Sequence, residues 1–405
     1  MKVIVIGGGA SGMICAIMQK IKGFDVTLIE KNEKLGKKLY ITGKGRCNLT
    51  NDCEREEFLQ NVVSNPKFML SSINAFSPCD TMAFFEELGL KLKTERGNRV
   101  FPLSDKSSDV IKALQTKLEK LGVEIKFNET ALSLKVEDNR ILGVITDKNE
   151  YFADKVIVAT GGITYPSTGS TGDGFTFAKS VGHTVTELFP SLCGINLKGE
   201  DYKLLQGLTL KNVNLSASQD GKVFYSEQGE MLLTHYGVSG PLVLTCSALI
   251  ARRNKNGIKL SIDLKPALTE KQLDERILRD FSLNKNKEFK NSLDALLPKA
   301  IIPLVIERSK ILPYKKISVI TAKERESLVN TIKNLEFDFA SLRGVNEAVI
   351  TSGGVSVKEI NPKTMESKII KGLYFIGEVL DVDAFTGGFN LQIAFSTGYS
   401  AGMQD

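Results

Sequence analysis

The sequence predicts an α/β protein in which one parallel sheet is assembled from distant parts of the chain. Three short apolar runs carry this prediction, at residues 3–6, 156–159 and 373–376. Each is apolar throughout, as strands covered on both faces of a parallel sheet are. The first run leads directly into a glycine-rich turn and a helix, which is the beginning of a β–α–β unit. We therefore expect one discontinuous domain from residues 1–188 and 345–405, with the intervening residues inserted into it.

The composition is that of an ordinary globular protein without a strong charge bias. Of 405 residues, 42% are apolar and 25% are charged, and the net charge is +6. Lys and Arg are spread along the chain, Trp is absent, and aromatic residues do not alternate with basic ones, so no nucleic-acid partner is expected. The densest basic stretch, residues 251–259, is interpreted as a solvated hairpin tip, with a phosphate contact as the alternative.

Cysteine and histidine usage predicts a reduced, cytoplasmic protein without a metal site. The six cysteines include no CxxC pair, and the two histidines are far apart in the sequence. Three glycines break the apolar N-terminus, so it is not interpreted as a signal peptide. No run of about 18 apolar residues occurs, so no membrane partner is expected. The oligomeric state stays open.

The N-terminal segment "KVIVIGGGASGMICAIMQKIKGFDVTLIEK" predicts a dinucleotide site. Gly7, Gly9 and Gly12 fit GxGxxG between a strand and a helix, where they allow a tight turn, close approach of a pyrophosphate and close helix packing. A second strand then ends in Glu30, where an acid accepts a hydrogen bond from a ribose hydroxyl. An acid at this point favours FAD or NAD over NADP. The alternative is a glycine-rich turn in an unrelated α/β domain.

Two later features favour FAD over NAD. After the second strand, residues 31–51 form a long Gly- and Lys-rich connection instead of a regular strand–helix unit. The late strand "KVIVATGG" ends in Ala159, Thr160 and Gly161, a pattern typical of flavoproteins in which this strand returns beneath the cofactor. Leu132 would then offer backbone groups to the adenine.

The C-terminal segment predicts a second contact with the same cofactor. Glu378 follows the last apolar strand, at the sheet edge where ligands of open α/β folds bind, and is placed to accept bonds from ribityl hydroxyls. Gly387 and Gly388 precede Asn390 and an apolar helix over about residues 391–401. The start of such a helix would present free amides to the pyrimidine edge of a flavin. The alternative is a helix whose glycines only permit close packing.

These segments together resemble the BaiN-like, aminoacetone-oxidase-type family of FAD-binding oxidoreductases. The match lies in "VIVIGGGASGM", "LGKKLYITGKGRCNLTN", "ATGGITYPSTGSTGDGFTFAKSVGHT" and "GLYFIGEVLDVDAFTGGFNLQIAFSTGYSAG", and it spans nearly the whole chain. The resemblance implies FAD bound in a Rossmann-type, glutathione-reductase-like domain. The FAD contacts that it implies are Gly9, Ser11, Gly12, Glu30, Lys31, Lys37, Lys38, Arg46, Cys47, Asn48, Leu132, Glu378, Asn390 and Leu391.

Within this resemblance, the loop "YITGKGRCNLTN" is expected to wrap around the cofactor. Its glycines permit close backbone approach, and Arg46 and Asn48 supply donors. The alternative for Arg46 is a structural pair with an acid. Cys47 is expected to pack as a small residue, with pairing to Cys53 as the alternative. Lys44 stands where relatives often have glycine, which puts its backbone torsion in doubt.

Between the two parts of the sheet we predict a β-rich module at residues 189–265 and a small helical module at residues 266–344. Alternating patterns and an Asp-Gly turn indicate the strands. Capping-box patterns at Thr269–Gln272 and Thr321–Glu324 indicate two helices. An insertion of this kind is expected to cover the flavin ring and select the substrate.

The sequence leaves the catalytic residues unknown. His235 and Tyr236, in "THYGVSGP", are weak candidates for a proton donor or a carbonyl ligand, and the alternative is a structural histidine beside a glycine turn. Tyr165 is a third weak candidate. The run "STGSTGDG" lacks the GK[ST] ending of a phosphate loop and is interpreted as a turn into a helix.

Three hypotheses for function follow. The first is a reductase that uses FAD, and NADH or NADPH as a transient donor, to reduce an enone or a related small organic substrate. The second is an oxidase of a small amine or aminoketone that uses oxygen. The third is a flavin-dependent RNA-modifying or FAD-sensing binding protein, against which the scattered charge argues.

Overall fold

The computed structural model describes residues 1–404 of the chain. The chain divides into two compact units, residues 1–191 with 344–404 and residues 192–343. The divisions lie close to the ends that the sequence predicts for the discontinuous domain, at residues 188 and 345. The intervening stretch forms one unit, where the sequence pattern predicts two successive modules.

The helices and strands of the described chain have the following bounds. The helices are α1 (Ala10–Ile21), α2 (Lys37–Ile41), α3 (Arg55–Gln60), α4 (Leu70–Ala75), α5 (Pro78–Glu87), α6 (Ser107–Leu121), α7 (Asp173–Ser180), α8 (Pro241–Ala251), α9 (Glu270–Ser282), α10 (Ile302–Ser309), α11 (Ala322–Lys333) and α12 (Phe389–Gly402). The strands are β1 (Lys2–Ile6), β2 (Asp25–Glu30), β3 (Thr50–Asn51), β4 (Leu92–Glu95), β5 (Arg99–Pro102), β6 (Glu124–Phe127), β7 (Ala131–Glu137), β8 (Arg140–Thr146), β9 (Glu150–Phe152), β10 (Lys155–Val158), β11 (Phe189–Ser191), β12 (Ile195–Leu197), β13 (Thr209–Gln219), β14 (Lys222–Thr234), β15 (Gly237–Ser239), β16 (Ile258–Asp263), β17 (Leu335–Leu342), β18 (Ile350–Ser352) and β19 (Leu373–Phe375).

The first unit is built on a five-stranded parallel sheet in the order β19–β10–β1–β2–β6. The central strand β1 pairs with β10 on one side and β2 on the other, so that Ile6 lies opposite both Val158 and Ile29. The apolar runs of β1, β10 and β19 are therefore neighbours, which confirms the predicted α/β class. Because the strands are parallel, their carboxyl ends meet at one edge of the sheet, where ligands of such folds bind.

Three small sheets complete the first unit. The strands β3, β5 and β4 form an antiparallel sheet beside the opening loop, and β7, β8 and β9 form a meander after β6. The pair β11–β18 joins the last residues before the insertion to residues after it, with Ser191 opposite Ile350.

The second unit contains a closed six-stranded barrel in the order β12–β15–β14–β13–β16–β17. The β13–β14 hairpin turns at Asp220 and Gly221, both at positive φ, which is the Asp-Gly turn that the sequence predicts. Alternate residues of the strands, including Leu215, Leu260 and Phe337, are buried. The last barrel strand, β17, comes from the stretch that was expected to be helical.

Helices α9 and α11 share one apolar core with the barrel. Both predicted capping boxes form, at Thr269–Gln272 and Thr321–Glu324. The buried face of α9 includes Ile277, the buried face of α11 includes Leu328, and both belong to the same core cluster as the barrel side chains. This shared core explains why residues 192–343 form a single unit.

Within residues 1–404, no helix is both long and apolar enough to cross a bilayer. Over the same residues, no three His, Cys, Asp or Glu side chains converge in a way that could hold a metal ion.

Candidate cofactor site

The first glycine turn lies at the carboxyl end of β1 and has room for a ligand at one position only. A Cβ on Gly7, whose φ is +108°, would lie 2.5 Å from the Ala159 carbonyl oxygen, and a Cβ on Gly12 would overlap the Gly7 carbonyl oxygen. A Cβ on Gly9 would meet no atom within 4 Å. Gly7 and Gly12 are therefore required by the protein's own packing, whereas Gly9 faces open space.

The helix that follows this turn has an uncapped N-terminus. Gly9 is the N-cap of α1 and provides no side-chain hydrogen bond. The amides of the first turn, from Ala10 to Gly12, therefore keep donors available for a ligand. Such a helix start favours negative charge, and a pyrophosphate supplies it.

Glu30 is buried at the end of β2 and is tied to the glycine turn. Its Oε2 accepts a hydrogen bond from the Gly8 amide at 2.8 Å, and its Oε1 accepts bonds from the backbone and side chain of Asn32 at 2.8 and 2.7 Å. Oε2, which accepts only one of these bonds, has a further lone pair that can accept a bond from a ribose hydroxyl. Sequence reasoning missed Asn32, which orients this carboxylate.

The return strand β10 closes beneath the same turn. The Ala159 amide donates to the Ile6 carbonyl oxygen at 2.8 Å, and Gly161 has a φ of +73°. The Thr160 hydroxyl oxygen is buried without a hydrogen-bond partner. The structure thus brings Ala159 and Thr160 beside the glycine turn.

Leu132 lies in β7, and its side chain is 56% exposed. The pairing of β7 with β8 shifts register between Ala131 and Ser133, which places Leu132 at a bulge. A bulged residue is left unpaired in the ladder, so its backbone groups are available to a ligand.

Two lysines of the opening segment, Lys31 and Lys37, each bind two side chains of the first unit. The Lys31 ammonium donates to Thr171 and Asp173 at 2.6 and 2.7 Å, which fastens the "STGSTGDG" turn to the end of β2. Lys37 contacts Asn32 and Glu33 at 3.2 Å. These two side chains are engaged with the protein near the predicted adenosine end.

Lys38 and Glu378, both predicted from the sequence, lie together. The Lys38 ammonium donates to the two Glu378 carboxylate oxygens at 2.9 and 2.7 Å and to the Thr164 hydroxyl at 2.8 Å. Glu378 also accepts a bond from the Thr351 amide at 2.9 Å. Thr164 and Thr351 were missed from the sequence, although Thr164 lies beside Tyr165 in a segment that was singled out.

Arg46 is held by acids from another part of the first unit. Its guanidinium contacts Glu95 at 2.5 Å and Asp105 at 2.6 Å, and lies 4.2 Å from the centre of the Phe101 ring. The hydrogen bond from Arg46 lowers the pKa of the Glu95 carboxyl, and bonds from Lys93 and Arg46 lower that of Asp105. The pairing of Arg46 with acids is the alternative to a cofactor contact that the sequence left open.

The rest of the loop is strained and tightly packed. Lys44 adopts the left-handed conformation at φ +57°, and Cys47 does so at φ +59°. Burial raises the pKa of the Cys47 thiol to about 12, and neither Cys47 nor Cys53 forms a disulfide. The Asn48 side-chain oxygen is buried without a hydrogen-bond partner. A buried polar atom of this kind requires an explanation, and a bound cofactor provides one.

The loop is joined to the start of α12, near the other end of the chain. The Asn51 side chain donates to the Gly387 carbonyl oxygen at 3.0 Å, and the Thr50 hydroxyl bonds to Gln392 at 2.6 Å. A Cβ on Gly388, whose φ is +101°, would overlap the Thr50 backbone. Gly388 is therefore required by this close approach of the two segments.

Helix α12 begins one residue before Asn390 and is also uncapped. Gly388 is its N-cap and provides no side-chain bond. The Asn390 side chain accepts a bond from the Ala384 amide at 2.9 Å and donates to the Ala384 and Phe385 carbonyl oxygens. Asn390 thus holds the preceding loop in place, and the first-turn amides up to Leu391 keep donors available.

The two uncapped helices run parallel and their starts are offset. A Cβ on Gly398 would lie 2.5 Å from the Ser11 carbonyl oxygen, and Gln19 donates to the Ala401 carbonyl oxygen at 2.8 Å. Since Ser11 is level with Gly398, the start of α12 extends about 12 Å beyond the start of α1, at 1.5 Å per residue. Gly377 lies between them, because its Cβ would be 2.5 Å from the Ser11 hydroxyl.

The three weak catalytic candidates are divided between the units. Tyr165 is in the first unit, at a φ of +53°, and directly follows Thr164. His235 and Tyr236 are in the second unit, at the turn between β14 and β15, with their ring centres 5.1 Å apart. The Arg343 guanidinium lies 4.3 Å from the centre of the Tyr236 ring.

The residues of the first unit fit FAD. The open space at Gly9 could admit a pyrophosphate, and the two offset helix starts could receive two separate anionic or carbonyl groups. The Asn48 and Thr160 oxygens are buried polar atoms without a partner in the protein. Glu30 and Glu378 supply acceptors near the two ends, where ribose and ribityl hydroxyls are expected.

The chain is similar over its whole length to known proteins. A family model, the HI0933-like protein Rossmann domain, matches residues 1–404. The 3-dehydro-bile acid delta(4,6)-reductase of Clostridium scindens is 32% identical, over 98% of this chain and 97% of the relative. The ribosomal RNA dihydrouridine synthase of Haemophilus influenzae is 31% identical, over 99% and 97%, and that of Escherichia coli is 28% identical, over 98% and 96%.

Solved structures share the fold at low sequence identity. The 3-ketosteroid delta1-dehydrogenase of Sterolibacterium denitrificans covers 99% of this chain and 98% of its own, at 12% identity and a TM-score of 0.52. A quinol-fumarate reductase covers 99% and 70%, at 15% identity and a TM-score of 0.52. These likenesses establish the architecture.

Proposed function

Because the chain belongs to the family of HI0933-like proteins, we propose that it reduces a carbon–carbon double bond conjugated to a carbonyl group, with NADH or NADPH as donor. It is an FAD-dependent oxidoreductase. The proposal concerns the substrate class, the direction of electron flow and the donor.

The names of the full-length relatives share one chemistry. A delta(4,6)-reductase of a 3-dehydro bile acid acts on double bonds conjugated to a ketone, and a dihydrouridine synthase saturates a uracil double bond that is conjugated to a ring carbonyl. Conjugate reduction of either kind of double bond adds a hydride to the carbon remote from the carbonyl and a proton to the adjacent carbon. The donor is oxidised to NAD⁺ or NADP⁺, so electrons and protons balance.

The proposal rests on the close approach of the opening loop, at Thr50 and Asn51, to the start of α12, at Gly387 and Gly388. When bound, FAD supplies the hydride relay between a nicotinamide and the acceptor carbon. The chain would hold its pyrophosphate at the α1 start and its flavin ring at the α12 start. The uncapped amides of α12 would stabilise negative charge on the ring, as preorganised donors do for developing anions.

Lys38, Glu378 and Thr164 would act on the segment between these two ends. Their hydrogen bonds fix the Glu378 carboxylate at the sheet edge, where it can accept from ribityl hydroxyls. Gly377, against Ser11, allows the backbone to pass close to this segment. The role of these residues is therefore to bind and orient the cofactor.

Anaerobic flavin absorbance tests the proposal. The purified FAD-loaded protein is mixed with NADH or NADPH, and then with 2-cyclohexenone or with a 3-keto-4-ene steroid. We expect the nicotinamide to bleach the flavin band and the enone to restore it. A flavin bleached only by an amine or aminoketone and restored only by oxygen would indicate the oxidase and refute the reductase.

The same experiment can locate the proton donor. Tyr165→Phe, His235→Gln and Tyr236→Phe each remove one candidate proton. Loss of the donor should slow reoxidation by the enone and leave reduction by NADH unchanged. A variant that slows both half-reactions equally has altered cofactor binding instead.

A second candidate function is the reduction of a uracil base in an RNA, whose double bond is conjugated to a ring carbonyl. Two relatives that match nearly the whole chain are named for this product. Reoxidation of the reduced flavin by uridine-containing RNA, with formation of dihydrouridine, would favour this form over a small organic substrate.

A further inference from the structure

Two exposed segments of the second unit, residues 283–292 and 310–319, are joined by a short antiparallel ladder around the Glu288–Lys316 bridge. The Phe289 amide donates to the Lys315 carbonyl oxygen at 2.9 Å, and the Ile317 amide donates to the Lys287 carbonyl oxygen at 3.1 Å. The Phe289 and Ile317 side chains are buried in the core of the unit. The ladder is therefore a fixed surface, which we name the 283–319 ladder.

Most of the chain's excess positive charge lies on this ladder. Its twenty residues contain six lysines and one acidic residue, Glu288, against a net charge of +6 for all 405 residues. The ammonium of Lys315 pairs with Glu324 at 2.6 Å, and that of Lys290 lies 3.3 Å from Glu288.

The remaining four lysines face solvent. They are Lys285, Lys287, Lys310 and Lys316. Within the described chain, residues 1–404, none of the four has an acidic partner. Unpaired lysines on a fixed backbone attract phosphate groups.

Large apolar side chains stand among these lysines. Leu283 is 76% exposed, Leu312 is 72% exposed and Tyr314 is 70% exposed. The Lys290 ammonium lies 4.0 Å from the centre of the Tyr314 ring. An exposed aromatic ring flanked by cations is the combination on which single-stranded nucleic acids stack a base while their phosphates are neutralised.

We propose that the 283–319 ladder is an RNA-binding surface, with its lysines on phosphates and Tyr314 stacked on a base. The inference rests on the RNA form of the proposed function, in which the chain must hold a polynucleotide as well as reduce a base. It revises the expectation from sequence that no nucleic acid binds. The lysines appear scattered in the sequence because the two segments become adjacent only in the folded unit.

The other basic cluster, at residues 251–259, is a weaker candidate. The Arg253 guanidinium lies 4.2 Å from the Phe224 ring centre, and Lys259 pairs with Glu336 at 3.4 Å. Gln219 donates to the Asn254 and Asn256 carbonyl oxygens at 2.8 Å, which fastens the loop. The hairpin tip expected from the sequence is wrong, because the stretch connects α8 to β16, and its side chains are engaged within the unit.

Fluorescence anisotropy with a labelled oligouridine tests the proposal. The full-length, FAD-loaded, oxidised protein is titrated over a series of KCl concentrations. The triple variant Lys285→Gln, Lys287→Gln and Lys316→Gln should reduce the slope of log affinity against log salt by about 2, since each single-strand phosphate contact contributes about 0.7. Tyr314→Ala should weaken binding about tenfold at fixed salt without changing the slope.

A matched triple variant on α6 removes the same charge elsewhere. Lys112→Gln, Lys117→Gln and Lys120→Gln should leave both affinity and slope unchanged. The proposal would be overturned if both triple variants lost the same RNA affinity, or if neither lost any. It would also be overturned if heparin bound as tightly as the oligouridine and Tyr314→Ala did not weaken RNA binding.

The experiment is independent of the reductase test. No nicotinamide or enone is present, and the flavin spectrum and melting temperature show that each variant is folded and loaded. RNA binding with an inactive flavin would refute the proposed function alone. Active enone reduction without binding through the ladder would refute the RNA surface alone.

Discussion

At the scale of single residues, Gly9 separates cofactor binding from folding. A Cβ at this position meets no atom within 4 Å and the backbone φ is −83°, so alanine fits the protein itself. We predict that Gly9→Ala leaves the unfolding free energy of the FAD-free protein unchanged and weakens FAD binding by about tenfold or more, because the methyl group enters the space left for the pyrophosphate.

The measurement is a thermal melt of the FAD-free protein beside a titration with FAD. Gly12→Ala is the contrasting variant, since its Cβ would overlap the Gly7 carbonyl oxygen. That variant should lose stability whether FAD is present or not. Full FAD affinity in Gly9→Ala would show that no phosphate passes this turn.

Residue types at the site were predictable from sequence, but their partners were not. The GxGxxG spacing and the acid at Glu30 are local patterns with a known physical reason. Arg46 was named as a cofactor donor, whereas its guanidinium lies between Glu95 and Asp105. Those acids come from β4 and a later loop, and no local pattern indicates that the fold brings them to Arg46.

At the scale of elements, the parallel contact of α1 and α12 joins the two ends of the chain. A Cβ on Gly398 would lie 2.5 Å from the Ser11 carbonyl oxygen, and backbone cannot move aside as a side chain can. We predict that Gly398→Ala lowers the unfolding free energy by about 1–3 kcal/mol, as overpacking does. FAD affinity should fall with it, because both helix starts are displaced.

Chemical denaturation of Gly398→Ala measures this effect, and Ser400→Ala is the matched control on the same helix. The Ser400 hydroxyl is buried without a partner, so its removal should change stability by less than about 0.5 kcal/mol. A Gly398→Ala protein as stable as Ser400→Ala would show that the helices separate without cost.

His183 links the end of α7 to the segment before β19. Its Nδ1 lies 3.0 Å from Glu359 and its Nε2 lies 2.7 Å from Ser367. Burial lowers the pKa of His183 below its usual 6.5, so the ring takes up a proton at lower pH in the folded protein than in the unfolded chain. As the pH falls below about 6.5, the unfolded chain takes up a proton that the folded chain does not, and stability declines by at most about 1.4 kcal/mol per pH unit.

Unfolding free energies of the native protein and His183→Gln, measured between about pH 5 and pH 8, test this expectation. The native curve should fall more steeply on the acid side, because glutamine keeps a hydrogen-bonding group and does not titrate. Parallel curves would mean that folding does not lower the pKa of His183.

The closed barrel shows what element patterns leave undetermined. Alternating residues predicted the strands that became β13, β14 and β16, and the capping boxes predicted α9 and α11. Closure needs β17 to pair with both β16 and β12, at long sequence separation. Such pairing depends on which apolar faces meet in the core. The sequence pattern does not show this, so it predicts a β-rich module and a helical module where the structure has one unit.

At the scale of the whole molecule, the second unit begins and ends at neighbouring residues. The Arg343 amide donates to the Gly194 carbonyl oxygen at 2.9 Å. In the first unit, Ser191 pairs with Ile350 across β11 and β18, so the segments flanking the insertion are fastened to each other. An insertion with adjacent ends and its own core can be removed with little effect on the domain that carries it.

We therefore predict that replacing residues 192–343 with a short Gly-Ser linker leaves a folded, yellow protein. All the FAD contacts proposed above lie in residues 1–191 and 344–404, so the flavin spectrum and FAD affinity should be kept within about tenfold. Binding of labelled oligouridine should be lost, because the 283–319 ladder is absent, and the isolated 192–343 polypeptide should retain it. If the shortened protein is colourless but folded by circular dichroism, the first unit does not hold FAD by itself. If the shortened protein still binds RNA, the RNA-binding surface lies outside the second unit.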